Sequence, residues 1–72
     1  MEEKVLEVFK YVFEDDSIDT SISQENYPNW DSLKQLNLMV ELEAEFGISI
    51  EPEDQSKMKT FEGVVKVVKS KL

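Results

Sequence analysis

The 72-residue chain has no cysteine, no histidine, two glycines and two prolines. Without cysteine there is no disulfide and no thiolate metal site. Without histidine the commonest general base and metal ligand is missing. A domain this short buries only about 60% of its unfolded surface, and a core of this size rarely supplies more than about 3–5 kcal/mol of net stability. That leaves one domain over residues 1–72 and no room for a deep, enclosed active site. No apolar run approaches the length of a membrane span. The Met1-Glu2-Glu3 start lacks the apolar stretch of a signal peptide, so a cytoplasmic protein is expected.

Positive charge is also scarce, and the net charge is −8. This disfavours nucleic-acid backbones and anionic membranes as partners and favours basic ones. The charge is uneven. Residues 1–56 hold fifteen acids against Lys4, Lys10 and Lys34, a net −12; residues 57–72 hold five lysines against Glu62, a net +4. An acidic surface also serves solubility alone.

Apolar spacing predicts a first helix over 2–13, carried by Val5, Val8, Phe9 and Val12, with Glu2 and Glu3 at the end the dipole favours. Residues 14–31 read as a long loop rich in Asp and Ser, with Pro28 holding Tyr27 out of helical geometry. Ile18, Ile22, Tyr27 and Trp30 are spaced to pin that loop to a core, so it is expected to be ordered. A second helix is predicted over 32–46 and stopped by Gly47. Asp31 can cap it; so can Ser32, whose spacing to Gln35 matches a capping box. A short helical turn is expected at 53–57 after Pro52. Thr60 is placed to cap a last helix over 61–72, with Phe61, Val64, Val65, Val68 and Leu72 on one face. The valine run there is β-prone, and Gly63 costs about 1 kcal/mol against alanine.

The second helix has two apolar stripes at 100° per residue. Leu38, Met39, Leu42 and Phe46 form one; Leu33, Leu36 and Val40 form the other. A bundle helix needs only one. The first stripe is expected in the core. The second, adjoining Ser32, is expected to be a docking patch.

Three readings of the polar residues compete. Ser32 as a hydrolase nucleophile lacks a histidine, a nucleophile elbow and an oxyanion site, so no catalytic residue is assigned. A calcium loop begun at Asp15 has Ser17 and Asp19 in place, but Thr20 stands where glycine belongs and Asn26 where glutamate belongs. Begun at Glu14, it ends correctly on Glu25 but puts Ile18 at a ligand position. No metal site is therefore predicted. A serine with nothing to activate it, at a helix start, is better placed to receive a group than to attack one.

From about Asn29 onward the chain resembles the acyl carrier proteins. The resemblance is carried by Trp30-Asp31-Ser32-Leu33, then Leu36, Leu38, Met39 and Leu42, then Glu43-Ala44-Glu45-Phe46-Gly47-Ile48. Ile50, Pro52-Glu53-Asp54 and Lys57-Met58-Lys59-Thr60-Phe61 continue it. It implies an all-α, four-helix bundle of acyl-carrier type with a long first loop and a short third helix. It further implies that Ser32 bears phosphopantetheine, delivered from coenzyme A by a phosphopantetheinyl transferase that reads Asp31, with Asp31 and Leu33 flanking the attachment site. The protein would then be a carrier and not an enzyme, holding an acyl thioester for loading, transfer or condensing enzymes with basic docking surfaces. Fatty acid, polyketide, or modified lipid or sugar synthesis would be served. Leu36, Asn37, Val40, Glu41 and Glu43 would join the docking surface of a monomer. Leu38, Met39, Leu42, Met58, Phe61 and Val64 would line a shelter for the acyl chain.

Fatty-acid carriers usually show acids two and five places after the serine, where this chain has Lys34 and Asn37. Trp30 is also atypical of housekeeping carriers, which favours a specialised, free-standing one. An aminoacyl or peptidyl carrier is the related alternative, though those more often show glycine where this chain has Asp31. An acidic adaptor with Ser32 as a plain cap is the unrelated one.

Overall fold

The computed structural model describes all of residues 1–72. The architecture is all-α: α1 spans Glu2–Phe13, α2 spans Ser32–Phe46, a 3-10 helix spans Pro52–Lys57, and α3 spans Phe61–Lys71. No helix is long and apolar enough to cross a membrane.

Helix α1 buries Val5, Val8, Phe9, Val12 and Phe13. Its charges suit the dipole, with Glu2 and Glu3 in the first turn and Lys10 in the last. It ends on Glu14 in the left-handed region, φ 53°. Phe9 is the centre of an aromatic cluster. Its ring lies 5.2 Å from Trp30, edge-on, and 5.5 Å from Phe61. Phe13 packs edge-on against Tyr27 at 5.3 Å. Rings in this arrangement contribute about 0.5–1.5 kcal/mol per pair beyond their burial.

These contacts hold the 14–31 segment in place, as expected. Ile18, Ile22 and Trp30 are buried, and Tyr27 is half-buried. The loop is also stitched to the start of α3. Gln24 N–H donates to the Lys59 carbonyl at 2.9 Å and Phe61 N–H to the Ile22 carbonyl at 3.0 Å. Its acids serve the loop itself. Asp15 accepts from Ser17 N–H and from the Tyr27 hydroxyl at 2.7 Å, and Asp19 accepts from Ser21 N–H. No three acidic side chains converge on a cation-sized space.

Helix α3 differs from expectation at its end. Leu72 lies beyond it and is exposed, while Val67 joins Phe61, Val64, Val65 and Val68 in the core. The β-prone valines are helical because the helix buries them against the rest of the domain, and burial outweighs local propensity. Thr60 Oγ1 accepts from Gly63 N–H at 3.0 Å, the expected cap. The 3-10 helix is fastened to α3 by an ion pair between Asp54 and Lys71 at 2.9 Å.

Candidate functional site

The two stripes of α2 part as their spacing requires. Leu38, Met39 and Leu42 are buried and Phe46 is packed against the core. Leu33 and Leu36 are 66% and 56% exposed, and Val40 is 53% exposed. Met58, Phe61 and Val64 complete the core beside the first stripe. All six side chains expected to line an acyl shelter are thus closely packed core residues.

The cap is Asp31. Its backbone is extended and its Oδ1 accepts from Lys34 N–H at 2.9 Å. Ser32 is the first helical residue, so its hydroxyl is not spent on capping, and it is exposed. The Ser32–Gln35 capping box does not form. Gln35 instead turns inward, and its Oε1 accepts from the Trp30 indole N–H at 2.6 Å. The Asp31 carbonyl takes Gln35 N–H at 2.8 Å. With Lys34 and Gln35 satisfied, the Ser32 and Leu33 N–H groups are left as the open donors of the helix start.

Ser32 opens onto a cleft of about 460 Å³. Gln24, Asp31, Gln55, Ser56 and Lys59 line it, together with buried Trp30 and Gln35. The cleft therefore lies between the N-terminus of α2, the 3-10 helix and the end of the long loop. A cation, Lys59, and an anion, Asp31, face the same space.

A second groove, about 630 Å³, runs between α1 and α2. Tyr11, Lys34, Asn37, Val40 and Glu41 are among its lining residues. Tyr11 is 71% exposed. It escaped the sequence reading because it lies off the Val5, Val8, Phe9 and Val12 face and belongs to no motif. Its exposure as a large ring is the signal, and only the fold reveals it.

Two charged residues of α2 have structural duties. Lys34 Nζ donates to the Val12 carbonyl at 3.2 Å, so its charge sits at the C-terminal end of α1, where the dipole favours a cation. The Glu43 carboxylate accepts from Ile50 N–H at 2.8 Å and ties the segment after α2 back to the helix. Of the acids expected for docking, Glu41 borders the α1–α2 groove and Glu43 is occupied in this way. Glu45 makes a loose, exposed pair with Lys4 at 3.8 Å, worth little on its own.

No protein-family model matches this chain. No curated protein matches it either.

Proposed function

We propose that this domain is a carrier on which Ser32 accepts phosphopantetheine. The observation that carries the reading is the division of labour at the start of α2. Asp31 caps, which leaves the Ser32 hydroxyl exposed and uncommitted. Three uncovered apolar side chains follow it on the same helix: Leu33, Leu36 and Val40.

The chemistry fits the residues present. In the transfer, Ser32 Oγ bonds to the phosphorus of coenzyme A that bears the pantetheine. The pyrophosphate linkage breaks, adenosine 3′,5′-bisphosphate leaves, and the hydroxyl proton passes to a base of the transferase. The catalytic machinery, Mg²⁺ included, belongs to that enzyme. This chain supplies an accessible oxygen, a helix start to recognise and an apolar rim to grip. The open Ser32 and Leu33 N–H groups would hold the resulting phosphodiester at the helix start, where the dipole favours an anion by roughly 0.3–1 kcal/mol. When attached, the group supplies a terminal thiol that holds an acyl group as a thioester.

Leu33, Leu36 and Val40 form the docking face for enzymes that load or consume the acyl group. Asn37, Glu41 and Tyr11 flank it along the α1–α2 groove. The acidic surface of residues 1–56 selects partners with basic rims. Because Lys34 is drawn to the Val12 carbonyl, it does not set a free cation in the middle of that face.

The test is intact mass after incubation with coenzyme A, Mg²⁺ and a broad-specificity transferase, with Ser32→Ala alongside. Addition of one phosphopantetheine to the wild type alone is the expected result. No addition to the folded wild type with a matched transferase overturns the proposal and leaves an acidic adaptor with Ser32 as an ordinary helix residue.

A further inference from the structure

We infer that the polar cleft beside Ser32 is a seat for the arm, in which Gln35 donates to an amide carbonyl and Lys59 meets the phosphodiester. The inference rests on the reading that Ser32 carries phosphopantetheine, and adds to it where the arm lies.

Gln35 is the starting observation. It is 6% exposed, and its Nε2 is a buried donor with no acceptor. Its orientation is not free. The Trp30 indole N–H donates to Oε1 at 2.6 Å, which fixes the amide with Oε1 toward the indole. A buried donor without an acceptor is disfavoured, and native folds rarely keep one. Gln35 lines the cleft that also holds Ser32. At about 460 Å³ the cleft is far larger than the roughly 30 Å³ share of one water.

The rest of the lining has a matching character. Trp30 is its one apolar residue. Gln24 and Gln55 offer neutral amides, Ser56 a hydroxyl and Lys59 a cation. Phosphopantetheine has the complementary set: one phosphodiester, one hydroxyl and two amides ahead of the thiol. A hydrocarbon chain has no such partners here, and Leu38, Leu42, Met58 and Val64, each with no exposed surface, are packed away from it. The cleft thus suits the polar arm and not an apolar cargo.

The arm's attachment point and its seat adjoin; because Gln35 Nε2 has almost no exposed surface, seating requires a local shift that brings this amide into the cleft. Seating would give Gln35 its missing acceptor and set the arm's first half against the 3-10 helix.

The experiment uses the intact protein, isotopically labelled and converted by the transferase, with attachment verified by mass. Nuclear Overhauser contacts are then sought between the arm's amide protons and the side-chain amides of Gln35 and Gln55. The apo and loaded forms are compared at the Gln35 Nε2 resonances. Contacts to both glutamines, with a shift of the Gln35 resonances on loading, are expected. Gln55→Ala and Lys59→Ala change exposed residues and should weaken the contacts and return the Gln35 resonances toward their apo positions. An attached arm with no contacts and unchanged Gln35 resonances overturns the seat while the carrier reading stands. Contacts from Gln35 Nε2 to a bound water in both forms do the same. Failure of attachment in the folded protein removes the carrier reading and this inference with it.

Discussion

The α-carbon of Gly63 packs so close to the Lys57 carbonyl that a Cβ on it would lie 2.2 Å from the oxygen. The glycine in α3 is thus where the last helix crosses the end of the 3-10 helix. It also donates its N–H to the Thr60 cap.

Gly63→Ala should therefore destabilise the domain. Helix propensity alone predicts the opposite, a gain of about 1 kcal/mol. Forcing a methyl into the Lys57 backbone costs about 1–3 kcal/mol, and the obstacle is main chain that cannot swing aside. Urea titration is the check, with a lower midpoint expected. A higher midpoint would mean that α3 slides off the 3-10 helix without loss.

Asp31 and Ser32, though neighbours, should behave oppositely when each is changed to alanine. Asp31→Ala removes the α2 cap and should cost about 0.5–2 kcal/mol. Ser32→Ala removes an exposed hydroxyl and should stay within about 0.5 kcal/mol of wild type. Thermal melts of the two variants decide this. Equal destabilisation would assign part of the cap to Ser32.

The two stripes of α2 offer a similar contrast. Leu38→Ala empties a fully buried site and should cost about 2–5 kcal/mol, comparable to the whole stability of so small a domain. Leu33→Ala, at a 66% exposed position, should leave the melt nearly unchanged and slow modification by the transferase. Circular dichroism with a timed mass assay separates the two effects. A large loss of stability from Leu33→Ala with normal modification would place that side chain in the fold instead of the docking face.

Acid should loosen the clasp between the 3-10 helix and α3. The Lys71 ammonium and then the Glu51 N–H hold the Asp54 carboxyl below its ordinary 3.8. Its contribution is complete above that value and drains away as pH falls through the lowered one. Lys71 is raised above 10.5, chiefly by its hydrogen bond to Asp54. Its contribution is complete below 10.5 and fades as pH rises through the raised value. Asp54→Asn should accordingly show a shallower fall in melting temperature below about pH 4 than wild type. Some acid sensitivity should persist, because Asp15, bonded first by Ser17 and then by Tyr27, and Asp19, bonded by Ser21, are also lowered. Identical acid limbs in the two proteins would show that the ion pair contributes nothing.

Much of this architecture could be read from local pattern. Val5, Val8, Phe9 and Val12 mark α1 because a buried face repeats with the helical period. Thr60 and Gly47 mark helix ends because capping and left-handed geometry are settled within a few residues: Gly47 has φ 65° and open space where a Cβ would be. The double stripe of α2 announced an uncovered face before any neighbour was known. Other features were decided only by residues far apart in the chain. The choice of Asp31 over Ser32 as cap went with Gln35 turning inward to the Trp30 indole. Lys34 could be understood only once the end of α1 lay beside it, and Glu43 only once Ile50 came back to it. Sequence periodicity assigns a side chain to a face of its own helix. What that side chain bonds, and whether a glycine is a weakness or a close approach, depends on the backbone that tertiary folding brings against it.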